Sequence, residues 1–129
     1  SILLSAFPLN LSQSMPALNI DLIFDAAIRI HLLIDGAITL NISGEDIRIK
    51  FPTTRALADF LGVPHYYVLP YFAMMEENQL VTRAERIGIF TTTAGTKKYL
   101  DLLLETYHDE GIRVLGADIF REIQKRASG

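Results

Sequence analysis

Basic and aromatic side chains in the middle of the sequence are the residues best suited to chemistry, and that chemistry is anion binding. Residues 48–98 contain seven basic and four acidic side chains, although the whole chain of 129 residues has a net charge of −3. A positive segment within an acidic protein is typical of a local surface that binds an anion, such as the phosphates of a nucleic acid. The candidate contact residues are Lys50, Arg55, His65, Tyr66, Tyr67, Arg83, Arg86, Lys97 and Lys98.

The sequence lacks the residue groupings that enzymes use. The chain has no cysteine, which excludes a disulfide framework, a thiolate zinc site and a cysteine nucleophile. His31, His65 and His108 do not have the spacing of metal ligands, and there is no glycine-rich phosphate loop or serine nucleophile elbow. His31 and Asp35 are four residues apart, which predicts an exposed helical pair. We therefore expect no catalytic residue, no metal and no cofactor.

Length and composition predict one globular domain, and the helix and strand patterns described below make its class α+β. A chain of 129 residues is in the range of a single domain, and its 50% hydrophobic content is enough for a self-sufficient core. No apolar run reaches the roughly 18 residues of a membrane span, so we expect a cytoplasmic protein without a membrane partner. The predicted parts are an apolar N-terminal arm at 1–18, a central domain at 19–110 and a C-terminal helical segment at 111–129.

The first half of the central domain has the pattern of a helix followed by a β-hairpin. Asn19 is a candidate N-cap, apolar residues recur with a helical period after it, and Gly36 stands at the expected end of the helix. Residues 38–42 and 47–51 then alternate apolar and polar side chains on either side of a turn that contains Gly44. This period of two predicts a hairpin.

Two short helices separated by a tight turn follow this hairpin. Thr53 or Thr54 caps the first helix, and Gly62 ends it. Pro64 is expected at the first position of the second helix, where a missing amide hydrogen costs nothing. The second helix is predicted to run to about residue 78. Helix, glycine turn and helix together predict a helix-turn-helix.

A charged hairpin and further helices complete the central domain. Residues 80–82 and 89–91 predict two strands joined by a charged turn in which Gly88 is free to adopt positive φ. A hairpin in this position is a wing. Thr92 or the threonine after it caps a long helix, which we expect to break at Gly111.

The terminal segments contain more apolar side chains than a 14.5 kDa monomer needs to cover its central motif. We therefore expect a homodimer, whose interface would resemble a domain core cut in half. The candidate dimerisation residues are Leu22, Ile30, Leu102, Leu103, Tyr107, Ile119, Phe120 and Ile123.

Several motifs between the second short helix and the helix after the wing occur together. Pro64 opens the second helix, Pro70 lies inside it, and residues 92–95 read Thr-Thr-Ala-Gly after the wing. In these features, over about forty of its 129 residues, the chain resembles the PadR-like family of winged-helix transcriptional regulators. It departs from the family pattern at Leu69, where tyrosine is usual, and at Gln79, where glycine is usual.

The resemblance implies a winged helix-turn-helix and a homodimeric regulator that binds double-stranded DNA, more often a repressor than an activator. A weaker likeness to clock-modifying members of the family implies a role in circadian timing. Two other functions stay open. The net charge of −3 and the lack of arginine in the predicted recognition helix favour a winged-helix module that binds protein. A small-molecule sensor would need a pocket between the first helix and the C-terminal helices, and its effector is unknown.

Overall fold

The computed structural model describes residues 17–128, and over these residues the protein has a mixed α+β architecture. Six α-helices, one of them continued by a π-helix, surround two antiparallel hairpins. The predicted arm at 1–18 lies almost wholly outside the described residues. In chain order the elements are α1 (Ile20–Arg29), the π-helix (Ile30–Asp35), β1 (Leu40–Ser43), β2 (Asp46–Ile49), α2 (Thr54–Leu61), α3 (His65–Glu77), β3 (Val81–Ala84), β4 (Gly88–Thr91), α4 (Thr93–Thr106), α5 (His108–Leu115) and α6 (Ala117–Ser128).

The first helical segment begins and ends where its sequence predicts. Asn19 Oδ1 accepts a hydrogen bond from the Leu22 amide at 2.8 Å, which confirms the N-cap. Gly36 ends the segment in left-handed backbone with a φ of 65°. The last six residues before Gly36 form a π-helix, which the apolar period does not distinguish from α-helix.

Residues that follow β2 join the two hairpins. β1 and β2 pair antiparallel across a turn that contains Gly44, as predicted. Beyond β2, the Phe51 amide donates a hydrogen bond to the Ile89 carbonyl at 2.8 Å, and Lys50 forms an antiparallel bridge with Phe90. The extension of β2 therefore lies beside β4, and it brings Lys50 to the second hairpin.

α2 and α3 are separated by the predicted glycine turn. Thr53 Oγ1 accepts a hydrogen bond from the Ala56 amide at 3.0 Å, and Gly62 ends α2 with a φ of 70°. Pro64 precedes α3 as its N-cap, with an extended ψ of 148°, so the prediction that it is the first helical residue is wrong by one position. Pro70 is an exposed residue inside α3, and the helix continues past it. Proline has no amide hydrogen, so the carbonyl four residues earlier loses its helical donor, and water can hydrogen-bond to that carbonyl instead.

The segment after β4 closes the second hairpin onto α4. Thr92 caps α4, because its Oγ1 accepts a hydrogen bond from the Gly95 amide at 3.1 Å. The same hydroxyl donates to the Gln79 carbonyl at 2.5 Å, and the Thr92 amide donates to the Leu80 carbonyl at 3.0 Å. A Cβ on the buried Gly95 would lie 1.9 Å from Leu80 O, so this close approach requires glycine.

The C-terminal helices differ from the prediction. Gly111 does not break a helix but lies inside α5, where a Cβ would be 2.7 Å from Cε1 of the Phe120 ring. Glycine at this position therefore makes room for a ring. The long helix α4 ends earlier, at Thr106, and α5 ends at Leu115, before Gly116 with its φ of 86°. The predicted boundary between residues 110 and 111 falls within α5, and Phe120 and Ile123 belong to the same core as the preceding helices.

Phe51 lies at the centre of that core. Its ring contacts Phe24 of α1 and Phe72 of α3 edge-on, with centroid distances of 5.1 and 5.9 Å. Buried hydroxyls attach α4 to both hairpins: Thr91 Oγ1 and Thr96 Oγ1 are 2.7 Å apart, and Thr96 donates to a carbonyl of β2 at 2.5 Å. These contacts join α3, α4 and both hairpins through one core.

Candidate nucleic-acid interface

The N-termini of α2 and α3 lie side by side. Oγ1 of Thr54, the first residue of α2, shares a hydrogen bond of 2.7 Å with Nε2 of His65, the first residue of α3. The Gly62 turn reverses the chain between the two helices and makes this contact possible. The first amides of a helix have no intrahelical partner and carry a partial positive charge. Two helix ends together therefore form a surface that favours an anion such as phosphate.

Arg55 and Tyr66 follow directly after these two first residues. Arg55 is exposed, and no carboxylate in residues 17–128 lies within ion-pair distance of it. Tyr66 is 71% exposed, whereas Tyr67 is half-buried and packs against the core. The predicted contact residues at this end of α3 are therefore not equivalent: Tyr66 is available, His65 is held by Thr54, and Tyr67 is partly structural.

Lys50 and Arg86 are exposed cations on the second hairpin and its neighbouring strand. Lys50 lies against Gly88, whose Cβ, if present, would be 3.3 Å from Lys50 Cε. Arg86 is in the hairpin turn with a φ of 67°. Neither has an acidic partner among the residues that the structure describes. Lys50 and Thr54 are separated by at most about 14 Å of chain, so Lys50 and the N-terminus of α2 are close enough to share one ligand.

Three other predicted contact residues are paired with acidic side chains. Arg83 Nε lies 3.2 Å from a carboxylate of α3, and Lys97 Nζ lies 3.1 Å from Asp101. Lys98 forms an ion pair with Asp21 of α1. The two lysines thus face the space between α1 and α4, and the structure does not bring them together with Arg55.

Four of the eight predicted dimerisation residues are covered within the chain itself. The faces of the helices that carry them pack into the common core, so these residues are not available to a second copy, and the prediction is corrected for them. The covered residues are Ile30, Leu103, Phe120 and Ile123. The residues that remain at least partly exposed are Leu22, Leu102, Tyr107 and Ile119.

His31 and Tyr99 form a buried contact that the sequence did not predict. His31 Nδ1 lies 2.5 Å from the Tyr99 hydroxyl, and both residues are almost fully inaccessible to solvent. The predicted exposed pair of His31 with Asp35 is therefore wrong. His31 lies four residues after the buried Ala27, so its place on the apolar stripe of the helix was a sign that it faces the core.

Burial sets the protonation of this pair. Burial lowers the pKa of His31, an effect that outweighs the opposing charge of Asp35. Burial also raises the pKa of Tyr99, and Asp35 adds to that shift. The imidazole is therefore neutral and the phenol protonated at pH 7, so the pair serves as an internal contact between the π-helix and α4.

A groove of about 780 Å³ lies between α1 and α4. It occupies part of the region in which the sequence left room for a small-molecule effector. Acidic side chains outnumber basic ones four to two among its lining residues, which makes it unlike the surface around Arg55. The charged residues that line it are Asp21, Asp25, Lys97, Lys98, Asp101 and Glu105.

Gln79 has left-handed backbone, with a φ of 59°. This is the position at which the PadR-like pattern has glycine, the residue that adopts such a conformation without steric cost. The chain between α3 and β3 therefore adopts a backbone conformation that costs little only for glycine.

Over residues 17–128 no cluster of three or more histidine, aspartate or glutamate side chains could hold a metal ion. In the same part of the chain, every helix is too short or too polar to cross a bilayer. In comparisons with known proteins, no family model matches the sequence, and no curated protein or solved structure is similar to it.

Proposed function

We propose that the protein binds double-stranded DNA as a homodimeric transcriptional regulator with a winged helix-turn-helix fold. In this proposal α2 and α3 are the helix-turn-helix, α3 is the recognition helix, and β3 and β4 are the strands of the wing. The observation that carries the proposal is the hydrogen bond between Thr54 and His65, which joins two helix N-termini next to the unpaired Arg55.

Phosphate contacts come from two parts of this surface. The helix ends supply amide donors and the Arg55 guanidinium, while Lys50 and Arg86 supply charge from the wing side. Helix N-termini and cations of this kind fix a protein on the duplex without reading its sequence. The paired Arg83 adds little to this surface, because its charge is already opposed by a carboxylate of α3.

The dimer is part of the proposal because two recognition helices about 34 Å apart reach successive major grooves on one face of the duplex. Apolar side chains outside the DNA surface are available for the contact between copies: Leu22 and Ile119 are exposed, and Leu102 is half-buried. A symmetric DNA site follows from this arrangement. We propose repression rather than activation because the resemblance implies it.

The test is the affinity for a fluorescently labelled duplex of random sequence, measured by anisotropy between about 50 and about 200 mM salt. Binding through phosphates predicts a linear fall of log K with log salt. Arg55→Ala should reduce the slope by about 0.9 for each lost contact, or by about 2 in a dimer. Arg86→Ala should have the same effect if the wing touches phosphate.

Arg113→Ala is the matched control for these variants. Arg113 is an exposed residue of α5 that has no acidic partner within residues 17–128, so its removal changes the net charge equally. The proposal requires that Arg113→Ala leave the slope unchanged. Equal slopes for all three variants would show that Arg55 and Arg86 are not at the DNA surface.

A second function, binding of a protein partner through α3, is favoured by one observation. The outward side of α3 is mainly apolar, and exposed apolar patches often mark protein interfaces. Protein binding through this face would be much less sensitive to salt than DNA binding. The same salt titration therefore separates the two functions.

A further inference from the structure

The outward side of α3 carries a continuous stripe of apolar side chains. Tyr66, Leu69 and Met74 are 71%, 41% and 43% exposed, and Pro70 and Ala73 between them are also exposed. Steps of three and four residues place these side chains on one face of a helix. The stripe spans eight residue steps, about 12 Å of helix, which is the length of three to four base pairs.

This stripe offers none of the side chains that usually read bases in the major groove. Arginine and lysine read guanine, and asparagine and glutamine read adenine, through paired hydrogen bonds. None of these residue types lies between Tyr66 and Met74. The neighbouring His65 is engaged by Thr54 through Nε2. The major-groove feature that an apolar stripe can recognise is the C5-methyl group of thymine.

We propose that α3 selects its DNA site by contact with thymine methyl groups in the major groove. The inference rests on the proposed function and adds the base class that the recognition helix prefers. The charge around the stripe favours DNA over a protein as its occupant. The stripe begins at Tyr66, directly after His65, whose contact with Thr54 joins the two helix N-termini. Arg55 directly follows Thr54, so phosphates that flank the groove would meet this end of α3.

The acidic end of α3 agrees with this orientation. Glu77 is the last residue of the helix, farthest along α3 from the paired N-termini. A helix that enters a groove with its N-terminal residues contacts bases there and keeps its C-terminal end away from them. We therefore expect base contacts from Tyr66, Leu69 and Ala73 in preference to those near Glu77.

The experiment starts with selection of bound duplexes from a randomised library, followed by replacement of every thymine in the selected duplex with deoxyuracil. This replacement removes only the methyl groups and leaves hydrogen bonding and charge unchanged. We expect enrichment of A·T pairs and a Kd that rises three- to fourfold for each methyl group that is buried in the complex. The salt slope should stay the same for both duplexes.

Leu69→Ala is the variant that links the effect to α3, and Leu33→Ala is its control. Leu33 is 60% exposed on the π-helix, so the control removes the same side chain from a surface that lies outside the proposed interface. Leu69→Ala should reduce the ratio of the deoxyuracil Kd to the thymine Kd, whereas Leu33→Ala should not. Circular dichroism checks that both variants fold.

Three results would overturn the inference, and they differ in whether they also refute DNA binding. Enrichment of G·C pairs, or equal affinity for the thymine and deoxyuracil duplexes with a steep salt slope, refutes methyl readout but leaves DNA binding intact. Absence of salt-dependent affinity for any duplex refutes DNA binding and methyl readout together. The apolar stripe would then be a surface for a protein.

Discussion

Gly95→Ala is the substitution for which the structure makes the sharpest prediction of stability. Gly95 is in the first turn of α4, and its Cα faces the carbonyl of Leu80 at the start of the second hairpin. A Cβ there would be 1.9 Å from Leu80 O, whereas ordinary contacts begin at 3.4 Å. The neighbouring atom belongs to the backbone, and that carbonyl also accepts the Thr92 amide, so it cannot move without a further loss.

The expected magnitude follows from three terms. Glycine to alanine inside a helix usually stabilises by about 1 kcal/mol. Overpacking against a rigid neighbour costs up to about 3 kcal/mol, and loss of the hydrogen bond between Thr92 and Leu80 costs about 1 kcal/mol. The net expectation is a loss of about 3 kcal/mol, which lowers Tm by about 10 °C for a domain of this size.

Urea unfolding and thermal unfolding, both followed by circular dichroism, measure this loss. Gly111→Ala is the comparison, because its Cβ would meet the Phe120 ring at 2.7 Å and a ring can shift. We expect Gly111→Ala to cost clearly less than Gly95→Ala. A Gly95→Ala protein that is as stable as the wild type would refute the close approach between α4 and Leu80.

Four further predictions concern the left-handed residue Gln79, the buried pair, the helix ends and the dimer. Gln79→Gly should raise the unfolding free energy by about 1 kcal/mol, because it removes a side chain from left-handed backbone; urea unfolding measures this, and no gain would contradict it. Because the pKa of His31 is lowered from its ordinary 6.5 in the folded state, the unfolded chain binds the proton more readily. The stabilising effect of neutral His31 is therefore fully present above pH 6.5, and it falls as the pH drops from 6.5 through the lowered pKa. Replacing His31 and Tyr99 together with phenylalanine should flatten this part of the curve of unfolding free energy against pH. Thr54→Val should cost about 1 kcal/mol by leaving His65 without its partner, and it should weaken duplex binding in the anisotropy assay; unchanged affinity would contradict the role of the paired helix ends. Sedimentation should show a dimer at micromolar concentration, and a monomer would remove the symmetric site from the proposal.

The helix caps and hairpins could be predicted from sequence because each depends on neighbouring residues. Asn19, Thr53 and Thr92 accept hydrogen bonds from amides three residues ahead, so a short window of sequence contains the whole interaction. The contact between His31 and Tyr99 joins residues 68 positions apart, and no local pattern specifies the partner. The π-helix was missed for a related reason, since its apolar period resembles that of an α-helix.

The candidate site was only partly predictable for the same physical reason. The sequence pattern put Arg55 and Tyr66 near the starts of two successive helices, and both residues are exposed in the structure. Which cations are already paired depends on tertiary contacts such as that of Lys98 with Asp21, 77 residues away. The role of Gly111 also depends on a distant packing partner, because its missing side chain makes room for a ring of α6.

The central claim, that the paired N-termini of α2 and α3 meet DNA, is tested most directly by amide chemical-shift mapping. A ¹⁵N-labelled sample is titrated with an unlabelled duplex at low salt, and the shifts are followed residue by residue. We predict the largest changes at residues 54–56, 65–67 and 85–88, with the amides of α5 unaffected. Changes confined to α4 to α6, or no changes at a duplex concentration that saturates the anisotropy assay, would contradict the proposed interface.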